Sequence, residues 1–132
     1  MQRFLLIDDM RNWAWREVGL DLEIDLKKTF VEDAKNEYDE IVYSHPDFEL
    51  VIARTFADAI EKVNEGNWDR IYLDHDLGEY GQRTGYEVIC HIEENPELAP
   101  KWFKCVSANP VGVDKIMNTW RAIQNRKNNE NI

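Results

Sequence analysis

The sequence predicts an α/β class, doubly wound fold: a three-layer, mostly parallel sheet of four to five strands. Three observations carry this. Short apolar runs recur along the chain, helix-period patterns alternate with them, and two of the runs end abruptly in acidic residues. Phe4-Leu5-Leu6-Ile7 is continuously apolar, as expected of a strand covered on both faces, and Asp8-Asp9 follows it. The second such run, Ile71-Tyr72-Leu73, leads into Asp74-His75-Asp76-Leu77-Gly78.

The remaining elements follow in order. Phe48 to Ala53 is a strand candidate. Thr55 with Asp58 three residues on has capping-box spacing, and Phe56, Ala59, Ile60 and Val63 form the stripe of a helix that Gly66 ends. Asp69 to Leu73 is the third strand, and 78–85 is a polar loop. Tyr86 to Glu94 is a helix with Val88, Ile89 and Ile92 inward, broken by Asn95-Pro96 and Pro100. Phe103 to Val106 is the fourth strand, Ser107-Ala108-Asn109-Pro110 a turn, and Val113 to Gln124 a last helix. The polar tail from Asn125 is expected to fray.

One stretch breaks the alternation. Within an insertion of about 10–47, Leu20, Leu22, Ile24 and Leu26 alternate with Asp21, Glu23 and Asp25, which favours an extra strand or extended segment. Phe30, Ala34, Tyr38 and Ile41 then recur at helical spacing and predict a helix from about Lys28 to Tyr43. No repeat, low-complexity tract or linker divides the 132 residues, so one domain over 1–132 is expected.

Bulk properties narrow the function. A hydrophobic fraction of 43% suits a globular chain, and no apolar run of membrane-spanning length occurs. No basic, apolar leader opens the sequence, so a cytoplasmic setting with Cys90 and Cys105 reduced is expected. The formal charge of −10 argues against a broad grip on double-stranded DNA backbone, which needs clustered Lys and Arg. It allows a small phosphate-bearing ligand held with a metal ion, and a basic protein partner.

The chemistry sits at the strand ends. In an open parallel sheet, ligands bind beyond the carboxyl ends of the strands where strand order reverses. If the first and third strands are neighbours there, Asp8, Asp9, Asp74 and Asp76 converge. Their mutual repulsion would be relieved by a hard cation such as Mg²⁺, which takes oxygen ligands and keeps waters for a phosphate. His75, between two carboxylates, is placed for acid/base work, although strand alternation sends neighbours to opposite faces. Ser107 and Asn109 could bond phosphoryl oxygens, and Gly112 at a helix start could offer backbone N–H groups. Turn and capping chemistry is the plainer explanation for each of these taken singly. His91 and His45 carry no ligand pattern, and Cys90-His91 with Cys105 lacks zinc spacing.

These residues resemble a receiver domain of two-component response regulators. Phe-Leu-Leu-Ile-Asp8-Asp9 resembles the receiver's first strand with its acidic pair, Ile-Tyr-Leu-Asp74 the third strand with the phospho-accepting aspartate, and Ser107-Ala108 the Ser/Thr-Ala of the fourth. The resemblance implies a receiver, flavodoxin-like sheet and Mg²⁺ held by Asp8, Asp9, Asp74 and the Asp76 carbonyl. A divergent branch, the cyclic-phosphate-processing receiver-like family, is closer. It is matched by Leu-Asp-His-Asp-Leu-Gly at 73–78, Thr84-Gly85-Tyr86, and Ser107-Ala108-Asn109-Pro110-Val111-Gly112. That resemblance implies action on cyclic phosphates of nucleotides or RNA ends. In that case Asp74, His75 and Ser107 would be catalytic, Asp76, Asn109 and Gly112 would bind substrate, and Asp8, Asp9 and Asp74 would hold the metal. A small chain of this family can be phage-encoded, which would place it in host cytoplasm.

Two departures divide the functional expectation. Val106 stands where the family has a histidine before the serine, and no Lys-bearing fifth strand follows the last helix, so the fold is truncated after the fourth strand and its helix. One expectation is a metal-assisted, phosphodiesterase-like hydrolase. The alternative is a catalytically inactive, receiver-like module that binds protein through its acidic surface and the 10–47 insertion. Ordinary phosphorelay ranks last for want of the Lys.

Overall fold

The computed structural model describes residues 1–8, 18–23, 41–74, 85–106 and 110–130. Within them the strands are β1 (Gln2–Ile7), β2 (Ile41–Ser44), β3 (Phe48–Ala53), β4 (Arg70–Leu73) and β5 (Trp102–Cys105). The helices are α1 (Phe56–Glu65), α2 (Gly85–Glu94) and α3 (Pro110–Glu130), with a 3₁₀ turn at Pro96–Leu98. The strands form one sheet of order β2-β3-β1-β4-β5. All pairings are parallel except β2 with β3. From β1 the chain moves to β3, then crosses back over β1 to β4 and β5. The strand order therefore reverses beside β1, and β1 and β4 are the pair whose carboxyl ends flank that crevice.

Side-chain alternation sorts the sheet into two faces. Leu5, Ile7, Val51, Ala53, Ile71, Leu73, Phe103 and Cys105 pack with α1, α2 and α3 through Ala59, Val63, Val88, Ile89, Ile92, Ile116, Trp120 and Ile123. Phe4, Leu6, Leu50, Ile52, Tyr72 and Val106 point the other way and gather with Val18 and Leu22.

Local chemistry explains the helix ends. The Thr55 hydroxyl accepts the Asp58 N–H at 3.1 Å, and Asp58 places negative charge in the first turn of α1. Gly66 closes α1 with φ of 71°, a left-handed conformation that costs glycine little, and its N–H reaches the Val63 carbonyl. Buried Trp68 then donates from Nε1 to the Lys62 carbonyl at 2.7 Å, and the Arg3 guanidinium stacks over its ring at 4.2 Å.

The structure revises three expectations. Residues 18–22 are helical, which overturns over 20–22 the extended segment that alternation favoured across 20–26; 24–26, like 28–40 of the expected helix, lie outside the described residues. Val18 and Leu22, one helical turn apart, are the positions that pack on the sheet, while Leu20 is 69% exposed. Residues 41–43, the end of the expected 28–43 helix, belong to β2. The ladder Ile41↔Ile52 to Ser44↔Glu49 outweighs the helical repeat. His45 shapes the hairpin turn. Its N–H donates to the Phe48 carbonyl at 2.8 Å, its Nδ1 accepts the Asp47 N–H, and its ring stacks on Phe48. Finally, the tail expected to fray from Asn125 continues α3 to Glu130. No Gly or Pro lies in 125–130, and Arg126 and Lys127 are good helix formers.

Candidate acidic site at the strand ends

Asp8 and Asp74 are the first residues beyond β1 and β4. The register pairs Ile7 with Leu73, and the Asp74 N–H donates to the Ile7 carbonyl at 2.9 Å. The Asp8 N–H extends the ladder on the other side, to the Ala53 carbonyl at 3.0 Å. The two aspartates are thus neighbours on adjacent parallel strands, whose backbones lie about 4.8 Å apart. Alternation turns both side chains to the face of Leu6 and Tyr72. Both are buried: Asp8 is 0% and Asp74 7% exposed. These are the only buried charged side chains among the described residues. Two carboxylates so close and so withdrawn from water repel strongly, and oxygen-seeking cations offset that repulsion.

Val106 flanks the pair. Its N–H donates to the Leu73 carbonyl at 2.9 Å, and Cys105 pairs with Leu73, so Val106 stands beside Asp74 on the same face. It is 4% exposed and packs among Leu6, Tyr72 and Val18. Behind it, Cys105 lies on the helix side of the sheet. Burial, followed by the negative charge of Asp74, pushes its thiol up to about 12, so it is no nucleophile near neutrality. Cys90 and Cys105 are both free thiols. Gly112 is buried in the first turn of α3, the helix that follows β5.

The expected site is therefore assembled in part. Asp8 and Asp74 meet as anticipated, and Gly112 lies in the helix start that follows the neighbouring strand. Asp9, His75, Asp76, Ser107 and Asn109 lie outside the described residues. Among the described residues no group of three acidic, His or Cys side chains could hold a metal ion. His91 is half-buried, its Nε2 2.8 Å from Asn64 Oδ1 across α2 and α1.

A polar cluster on the same face went unanticipated. The Arg70 Nη1 donates to the Tyr72 hydroxyl at 3.2 Å, and that hydroxyl donates to Asp21 Oδ2 at 3.2 Å. Lys104 Nζ lies 3.6 Å from Asp21 Oδ1. The Arg70 guanidinium sits over the rings of Phe4 and Trp102, at 4.9 and 5.0 Å. Tyr72 is fully buried, and desolvation pushes its phenol above the usual range. The available signal was a period-two pattern in two strands, Arg70-Tyr72-Asp74 and Trp102-Lys104-Val106, which becomes one surface only once their register is known.

The match to known proteins agrees with this geometry. A family model described as "Cyclic-phosphate processing Receiver domain" matches residues 3–122. The chain belongs to that family. No curated protein matches. Among solved structures, a fusion carrying the yeast Spc42 trimeric coiled coil aligns with TM-score 0.53 and 21% identity, over 89% of this chain and 61% of that one. A Burkholderia pseudomallei response regulator, solved with a phosphorylated aspartic acid, calcium and citrate, aligns with TM-score 0.52 and 16% identity, over 90% of this chain and 55% of that one. The chain thus spans only about three-fifths of these solved chains. At such identity they establish the fold, which is the receiver, flavodoxin-like sheet. β3-β1-β4-β5 corresponds to the first four positions of its 2-1-3-4-5 order, and antiparallel β2 extends the opposite edge. Among the described residues no helix is long and apolar enough to cross a membrane.

Proposed function

We propose that this receiver-like domain binds a cyclic phosphate, of a nucleotide or an RNA end, through Mg²⁺ held at Asp8 and Asp74, and hydrolyses it. The observation that carries the proposal is the placement of these two buried carboxylates, side by side on one face at the point where strand order reverses. Hard carboxylate oxygens suit Mg²⁺, so this part of the donor set fits the metal, with Asp9 and the Asp76 carbonyl as further donors. When bound, the cation would neutralise phosphate charge. The chain's own residues would do the rest. His75 would give or take the proton of the leaving or attacking oxygen, Ser107 and Asn109 would orient phosphoryl oxygens, and the Gly112 helix start would turn N–H groups toward the anion. Free thiols at both cysteines suit a reducing cytoplasm.

The test is Mg²⁺-dependent turnover of 2′,3′-cyclic nucleotides, with Asp74→Ala as control. Absence of turnover across cyclic phosphates, or full activity in the variant, would sink the hydrolytic proposal. One observation favours a second reading, binding without processing. The residue flanking Asp74 on this face is Val106, apolar and 4% exposed, which can neither donate nor accept a proton. Under that reading, calorimetry detects Mg²⁺-dependent binding of a cyclic nucleotide whose concentration stays constant for hours.

A further inference from the structure

The sheet face that carries Asp8 and Asp74 also carries aromatic and cationic side chains toward the opposite ends of β4 and β5, and between the two Tyr72 and Val106 are buried against Val18. Alternation places Arg70, Tyr72 and Asp74 in line along β4, with Trp102, Lys104 and Val106 beside them on β5. Trp102 is 39% exposed, and the Lys104 side chain is 38% exposed. Arg70 is fixed where it stands by stacking against Trp102 and Phe4 and by donating to the Tyr72 hydroxyl. Among the described residues two cations share this patch with one acid, Asp21, in a chain whose net charge is −10. Arg70 lies four residues before Asp74, a reach of about 13 Å at strand rise.

We infer that this row is a subsite for single-stranded RNA, in which Trp102 stacks a base and Arg70 and Lys104 meet the sugar-phosphate chain upstream of the terminal phosphate. The inference rests on the proposed phosphate site and specifies its ligand, an RNA end in preference to a free cyclic nucleotide. Three arguments carry it. Exposed aromatics next to cations on a sheet surface give bases a stacking platform without demanding a sequence. The guanidinium already over the Trp102 ring supplies both cation–π support and a positive charge for a phosphate. A 2′,3′-cyclic phosphate requires a ribose 2′-hydroxyl, so a polymer ending in one is RNA. The strongly acidic remainder of the chain confines the contact to a short stretch, because a longer polyanion would meet repulsion.

The experiment compares two probes in Mg²⁺: a short single-stranded RNA ending in a 2′,3′-cyclic phosphate, and the matching 2′,3′-cyclic mononucleotide. The wild type binds the RNA more tightly. Trp102→Ala lowers the ratio of the two affinities about tenfold, while Trp102→Phe, which still stacks, preserves most of it. Lys104→Ala flattens the salt dependence of RNA binding and leaves that of the mononucleotide in place. Thermal melts establish that each variant is folded, and the Lys104 arm decides should Trp102→Ala not fold. Equal affinity for both probes, with the ratio unmoved in the variants, overturns the RNA subsite and leaves the phosphate site standing. Failure of both probes to bind the wild type overturns both together.

Discussion

The two faces of the sheet are built on different principles. The face under α1, α2 and α3 is apolar along its core, with Leu5, Ile7, Ile71 and Leu73 entirely buried. The opposite face begins equally apolar at Phe4, Leu6, Leu50 and Ile52, but toward β4 and β5 it turns polar, with Arg70, Tyr72, Asp21, Lys104 and the aspartate pair. The helix-covered face has one task, to hold the strands in register. The other spends part of its packing on charge and so gains a surface that can meet a ligand. Mutations on the first face should therefore act through stability, and those on the second through binding and polar coupling.

The largest expected effect belongs to the helix-covered face. Ile71→Ala, at a site with no exposure, should cost about 3–4 kcal/mol in urea unfolding. A loss below about 1 kcal/mol would mean that this face is looser than its burial implies. On the other face, the aspartate pair predicts ligand-linked stability. Mg²⁺ at about a hundredfold excess over its dissociation constant should stabilise the wild type by about 2.7 kcal/mol and leave Asp74→Ala unmoved. An identical thermal shift in both proteins would place the cation elsewhere.

Cys105 tests the boundary between the faces. Its folded pKa lies above its unfolded value, so its contribution to stability is complete below about pH 9. That contribution fades as pH rises toward the folded value of about 12. Stability should fall by about 2 kcal/mol by pH 10.5 on this account, and Cys105→Ala should flatten the slope. An unchanged slope in the variant would assign it to other groups, Tyr72 foremost. The smallest effect is Tyr72→Phe, which cuts the link from Arg70 to Asp21. About 1 kcal/mol is expected, with weaker anchoring of residues 18–22 seen as faster amide exchange there.

The four parallel strands were legible because each is an apolar run bounded by turn or helix signals. The meeting of Asp8 with Asp74 followed from the switch-point rule once those strands were placed. What escaped the sequence is non-local. Ile41-Val42-Tyr43 fits a helical repeat until β3 offers it a ladder. Alternation at 20–26 mimics a strand, yet the anchors turned out to be Val18 and Leu22 at helical spacing. The cation and aromatic row needed the β4–β5 register, since Arg70 and Trp102 pair opposite each other but stand far apart in the chain.

The central position of β1 has a consequence for the order in which the molecule is made. The β2–β3 hairpin closes through a turn of three residues, His45 to Asp47, and forms quickly for that reason. β1 has no near neighbour in sequence. It pairs Gln2 with Phe48 and Phe4 with Arg70, so it must wait for long loops to close. β1, made before the other strands of this sheet, is thus expected to be locked in after β2 and β3, and Asp8 arrives with it. A truncated or half-folded chain would hold Asp74 without its partner carboxylate. Pulse-labelled amide exchange should find β1 protected after β2 and β3; earlier protection of β1 would contradict this order.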